Sequence, residues 1–203
     1  MTNYPIPTAP KPTAATLRMV SQNFTAQSPF TYQQQVLNHP GRRWEIDISL
    51  PPMRRDDVAE WQAWLALLDG SLNTFTMGDP LAAIPRGEAG GTPLVDGADQ
   101  TGSTLDVDGA SVSETNWLRA GDYIQLGTGS DARLYMVTQD ADTDGSGAVT
   151  LSIWPSLRAT PSDNDPVIVS GAVGAFRLAS GTSQWTEQGA RFYSLSFSGV
   201  GVV

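Results

Sequence analysis

Cysteine is absent from this chain, which excludes disulfide staples, thiolate metal sites and thiol nucleophiles. Histidine occurs once, at His39, so a metal centre built on several imidazoles is excluded as well. No apolar run approaches the roughly 18 residues that suggest a membrane span, and no membrane insertion is expected. The opening MTNYPIPTAPKPTAATLR has neither a basic stretch nor an apolar run of signal-peptide length, and it does not read as a secretory leader. Cations are scarce too. The sequence pI is near 4.4 and the formal net charge is −9, against the clustered positive charge that a nucleic-acid surface needs. Of the twelve basic residues only Lys11 is a lysine. Arginine suits assembly contacts because its planar fork loses less entropy per hydrogen bond; a GC-rich genome would give the same bias.

What is present is a 203-residue chain, 40% hydrophobic with six tryptophans, able to form one large β domain or two small ones. Its charge is unevenly placed. From Gly87 to Ser170 there are thirteen acidic and three basic residues, a net of −10; the remainder has eight acidic and nine basic, a net of +1. A composition that shifts and then shifts back suggests one domain interrupted by another. The division expected is an extended arm over 1–15, a discontinuous β domain from 16–80 and 171–203, and an inserted acidic β domain over 81–170.

Pro5, Pro7, Pro10 and Pro12 keep the first fifteen residues extended, either as a frayed terminus or as an arm ordered against a neighbouring subunit. Strands are expected at Thr16–Val20, Thr31–Leu37 and Arg43–Leu50, the last with Trp44, Ile46, Ile48 and Leu50 on one face. Between the latter two, NHPGRR reads as an exposed hairpin turn. In DDVAEWQAWLALLDG, Val58, Trp61, Leu65 and Leu68 recur at helical spacing, with Trp64 and Leu67 on the same broad face. Asp57 and Glu60 have capping-box spacing, and Gly70 suits a left-handed terminator. Asn73–Met77 is a further strand. The middle holds short strands at Thr104–Val107, Asp122–Leu126, Arg133–Thr138, Ala148–Ile153 and Val167–Val169, a small barrel or sandwich. Turns are expected at Asp108-Gly109, Gly127–Gly129 and Asp144–Gly147. Phe176–Leu178 and Arg191–Phe197, with the closing GVGVV, return to longer alternation. The fold class is therefore mainly β: a β-sandwich with one amphipathic helix, interrupted by a small inserted β-barrel or sandwich.

No residues are assigned to catalysis, cofactor binding or metal binding. Asp140, Asp142 and Asp144 before Gly145 match the first half of a calcium loop, but position 12 is Leu151, so a solvated turn is the expected structure. His39 has no nucleophile context around it. No phosphate-binding or dinucleotide fingerprint is present, and nothing calls for an enzyme. Trp117 and Trp154 are the candidate platforms if the insert is a carbohydrate-binding module.

The order of a polar strand ending in PP, then DDVAEWQAWLALLDGSLNTFTMGDP, is followed by an insert carrying LRAGDYIQLG, RLYMVTQD and AVTLSIWPSLR. The chain then closes with FRLASG and ARFYSLSFSGV. This resembles the distal tail proteins of long-tailed bacteriophages and related tail-like particles, over most of the chain after about residue 16. The resemblance implies a β-sandwich with a helix, the belt domain, forming a hexameric ring at the tip of the tail tube. It also implies contacts with the tube protein and with hub, baseplate and receptor-binding proteins. The protein would reside in the virion tail tip after synthesis in the host bacterial cytoplasm, without catalytic residues or cofactors. A tail tube subunit and a carbohydrate-binding tail module are the alternatives.

Overall fold

The computed structural model describes residues 1–189 and 191–202; Val203 of the closing GVGVV lies outside the described residues. The described residues are mainly β with a single α-helix, arranged as two antiparallel sheets. Strands β1 (Ala14–Gln27), β2 (Gln34–Ser49), β3 (Phe75–Met77), β9 (Gly174–Leu178), β10 (Trp185–Gln188) and β11 (Phe192–Gly201) form the first. Its order is β1-β2-β11-β9-β3, with β10 paired to β11. Strands β4 (Gly91–Val95), β5 (Gly102–Ala110), β6 (Tyr123–Leu126), β7 (Arg133–Val137) and β8 (Val149–Leu157) form the second, in the order β4-β5-β8-β7-β6.

The second sheet curls until its two edges nearly meet. Segment 166–168 lies between them, with Pro166 bridging Leu94 of β4 and Ile168 bridging Gln125 of β6. That closure leaves little free edge on the acidic unit. Val167 therefore serves as part of a bridging segment and not as the strand expected over Val167–Val169. Where the chain leaves the unit, Gly171 N–H donates to the carbonyl of Ala83 at 2.6 Å, so the incoming and outgoing segments run side by side.

Helix α1 (Arg55–Leu68) covers the first sheet. Its Val58, Trp61, Trp64, Leu65 and Leu68 are buried with Ile46 and Ile48 of β2, Phe75 of β3 and Leu195 of β11, whereas Leu67 is exposed. The apolar face is the one helical spacing specifies. The start differs: Arg54 is the N-cap and makes no side-chain cap bond. Asp57 thus lies inside the first turn, beside Asp56, where it favours the helix through the macrodipole and not through a capping box. At the other end Asp69 (φ 48°) and Gly70 (φ 61°) both adopt the left-handed conformation. A Cβ on Gly70 would also lie 3.1 Å from the Cα of Gly181.

The proline-rich N-terminus is laid against its own chain. Tyr4 N–H donates to Thr74 O at 2.8 Å, Thr74 N–H to Thr2 O at 3.0 Å, and the Trp61 indole to Ala9 O at 3.2 Å. Tyr4 and Ile6 pack on the main core. Prolines keep the segment extended, and the helix tryptophans supply the donors that pin it down.

Candidate functional site: an exposed hairpin arm and the junction at its base

Strands β1 and β2 are longer than the sheet they belong to. Up to Val20 and from Arg43 onward they pair, carry Arg18–Asp47 (2.7 Å) and Arg43–Glu45 (2.7 Å) ion pairs, and send Ala15 and Leu17 toward the core. Beyond that they continue as a two-stranded arm. Pairing runs from Asn23↔Asn38 to Gln27↔Gln34, and every residue from Ser21 to Gln27 is exposed. At 3.3 Å per residue these seven residues project about 23 Å.

The sequence signal read as a turn, His39-Pro40-Gly41, lies within β2, and the true turn is at residues 28–33. The register explains the difference. Ser21 pairs with Arg42 and Asn23 with Asn38, so Gln22 alone faces the three residues His39, Pro40 and Gly41. Proline cannot donate to a ladder, and a bulge is one of the few places a paired strand tolerates it. His39 is thus an exposed strand residue at a bulge.

The arm is apolar where solvent would favour polar residues. Phe24 and Leu37 are cross-strand partners, 58% and 50% exposed; Val36 is 61% exposed on the opposite face; Phe30 and Tyr32 at the tip are 91% and 73% exposed. Periodicity missed this. Alternation in a strand is ordinarily read as one buried face, and nothing local shows that both faces lack a partner.

At the arm's base the two units meet. The Trp44 indole donates to Leu134 O at 2.9 Å, and its ring packs edge-on to Trp154 with centroids 4.7 Å apart. Leu134 is buried in the first core, whereas its neighbour Tyr135 is buried in the second, so β7 divides its alternate residues between them. Burial raises the Tyr135 hydroxyl above its ordinary value, partly opposed by Arg133 and Arg158. Arg42, Arg43, Arg133 and Arg158 gather around this junction.

The other sequence candidates fall elsewhere. Trp117 is fully buried and its indole donates to Gly90 O at 2.8 Å; Trp154 is held against Trp44. Trp117 thus has no ring face open to a sugar, whereas Trp154 is half-buried. Asp140, Asp142 and Asp144 do not converge. Asp140 accepts from Ala120 N–H at 2.9 Å, Asp142 from Asn116 N–H at 2.6 Å, and Asp144 from Ser146 and Ala148 N–H at 2.8 and 2.9 Å. Their spacing is that of a loop pinned to residues 111–120, with Leu118 and Ala141 bridged between them. The turn expected at Asp108-Gly109 is continuous strand within β5.

Sequence reading also missed Asp122, a carboxylate only 3% exposed. It accepts from Arg86 N–H at 2.8 Å, Gly87 N–H at 3.1 Å and Arg119 N–H at 2.8 Å, clamping the connecting segment to the insert. Gly87 is required there, since a Cβ would fall 2.3 Å from Trp117 O.

Among the described residues no group of three or more histidines or carboxylates is placed to hold a metal, and no helix is long and apolar enough to cross a membrane. No family model matches this chain, and no curated protein does.

Proposed function

We propose that this chain is a structural virion subunit that assembles with copies of itself into a ring, of hexameric order, at the distal end of a phage tail tube. The ring joins the tube to hub and baseplate components. The observation that carries this reading is the arm: a two-stranded ribbon with Phe24, Phe30, Tyr32, Val36 and Leu37 in solvent. An isolated hairpin is marginal in water, and apolar side chains on both faces add a desolvation drive toward a partner surface. Strands β1 and β3 also leave the first sheet with two edges, while the acidic unit has closed its own. Contacts between copies thus belong to the near-neutral flanks, and a closed ring satisfies every such surface and stops growth. The inserts, each carrying −10 between Gly87 and Ser170, repel one another if crowded at the axis and so take the rim.

The test is an electron-microscopy reconstruction of the particle tip, with mass photometry of the purified protein and of a variant in which a two-residue turn replaces residues 21–42. The expected result is a ring with rim-facing inserts for the parent and none for the shortened chain, which keeps its core. One copy per tail, or inserts packed around the axis, overturns the reading. Open-ended tubes from the pure protein assign it to the tube itself.

A further inference from the structure

We infer that the aromatic tip of the arm is a knob whose seat is the groove where the first sheet of a second copy is interrupted. This rests on the self-assembly proposed above and names which surfaces meet.

Away from β2, strand β11 is paired in two separate stretches. Residues 192–195 lie against β10 and residues 199–201 against β9, which leaves 196–198 with no strand beside them on that side. The loop over 179–184 spans the gap, and Ala179 N–H donates to Ser198 O at 2.9 Å where it begins. The gap opens into a groove of about 520 Å³. That lies within the range, roughly 300–1,000 Å³, of pockets that enclose a compact apolar group. Its floor is apolar, formed by the buried Ile48, Leu65 and Leu178 and the partly buried Phe197. Its rim carries the hydroxyls of Ser180, Thr182, Ser183 and Ser196. Asp47, the one charged residue lining it, is already engaged by Arg18 at 2.7 Å and by the Ser198 hydroxyl. An apolar floor under a neutral, hydroxyl-bearing rim selects an uncharged aromatic group over a charged one.

The arm supplies such a group. No residue from Met19 to Asn38 is charged, and Phe30 and Tyr32 stand at the tip 91% and 73% exposed. The tip is preformed. Ser28 N–H donates to Gln33 O and Tyr32 N–H to Ser28 O, both at 2.9 Å, and the Ser28 hydroxyl accepts from Thr31 N–H at 3.3 Å. A turn already held in shape loses little freedom on docking. Aromatic anchors seated in a pocket behind a polar rim are where interfaces concentrate their binding energy. The tip cannot reach the groove of its own molecule. Gln34 and Ile48 lie fourteen residues apart on the same strand, β2, a span of roughly 40 Å once two residues are allowed for the bulge. Between copies the two can meet. Such a contact is head-to-tail, the kind that closes into a ring when the rotation permits. Because neither surface carries free charge, the contact holds at high salt.

The cysteine-free sequence allows a clean test. Thr31→Cys places a thiol at the tip and Thr182→Cys places one on the rim of the groove, both at exposed positions. The two variants are mixed at high protein concentration and cross-linked with a short bis-maleimide. The expected product is a mixed dimer whose yield is unchanged when salt rises from about 0.05 M to about 0.5 M. Adding Phe30→Ala and Tyr32→Ala to the first partner should lower the yield about tenfold. Ser196→Trp in the second, which fills the groove from its exposed rim, should do the same, with thermal midpoints of all variants near the parent's. No mixed product, or a yield indifferent to both changes, overturns the inference. Rings at the particle tip together with that negative result leave the ring reading standing and remove only this contact. A mixed product of the expected behaviour without rings at the tip keeps the contact and removes the ring reading.

Discussion

The Trp44 indole and the Leu134 carbonyl are joined by a buried 2.9 Å hydrogen bond that links β2 of one unit to β7 of the other. Trp44→Phe retains most of the ring volume but strands the Leu134 carbonyl at the seam, an expected loss of about 1–3 kcal/mol in urea unfolding. Trp44→Ala, which also opens a cavity against Trp154, is expected to cost about 3–5 kcal/mol. A Trp44→Phe protein as stable as the parent would show that the seam holds by packing alone.

Residues 81–170 expressed alone are expected to fold with a cooperative thermal transition. Val95, Leu105, Val107, Ile124, Leu151 and Ile153 form a core without help from the flanks, and segment 166–168 closes the sheet. Separation exposes Leu134, Met136 and Trp154, so the midpoint should lie below that of the whole chain. A fragment with no transition and no amide dispersion in its NMR spectrum would show that the first unit is needed as a template.

Trp61→Ala is expected to cost about 3–5 kcal/mol, because the side chain is fully buried between α1 and β11 and its indole holds Ala9. Protease sensitivity of the first fifteen residues should rise with it. Asp57→Ala is expected to cost only about 0.3–1 kcal/mol, as a first-turn charge and not a cap. Chemical denaturation of both variants separates the two contributions.

Millimolar calcium is expected to leave the melting temperature unchanged, since Asp140, Asp142 and Asp144 face different backbone donors. A rise of several degrees, lost in Asp142→Ala, would reveal a site formed by rearrangement.

The Asp144 carboxyl is held below its ordinary value of 3.8, first by the Ser146 hydroxyl and then by the Ala148 and Ser146 N–H groups. Because the folded value is depressed, its contribution is present above the unfolded pKa and disappears as pH falls through the folded one. Asp144→Asn should therefore flatten the acid limb of stability below about pH 4 while leaving the neutral-pH slope unaltered. Urea midpoints collected through that range measure the difference.

Periodic patterns settled whatever depends on one segment's own faces. The Trp44–Leu50 alternation specified a half-buried strand, and Val58, Trp61, Leu65 and Leu68 specified which side of α1 is covered. The stretch of the chain where the charge reverses is the one that carries the second sheet, β4 to β8, between β3 and β9 of the first. Short strands such as Gly91–Val95 and Trp185–Gln188 escaped detection, since they span too few residues for alternation to rise above chance and owe their pairing to a neighbour.

Other features became visible only with the tertiary structure, because they depend on what lies opposite. His39-Pro40-Gly41 has the local grammar of a turn, and only the register with Ser21 and Asn23 makes it a bulge in a long arm. Asp122 reads as one more surface acid until Arg86, Gly87 and Arg119 supply its donors. Arg42 and Arg158, 116 residues apart in sequence, form one cleft only because β8 returns the chain to the base of β2. Side-chain pattern fixes which face of an element is apolar through a free energy local to that element. Whether the face finds a partner in the same chain, or is left for another copy, is fixed by chain topology, which no single segment encodes.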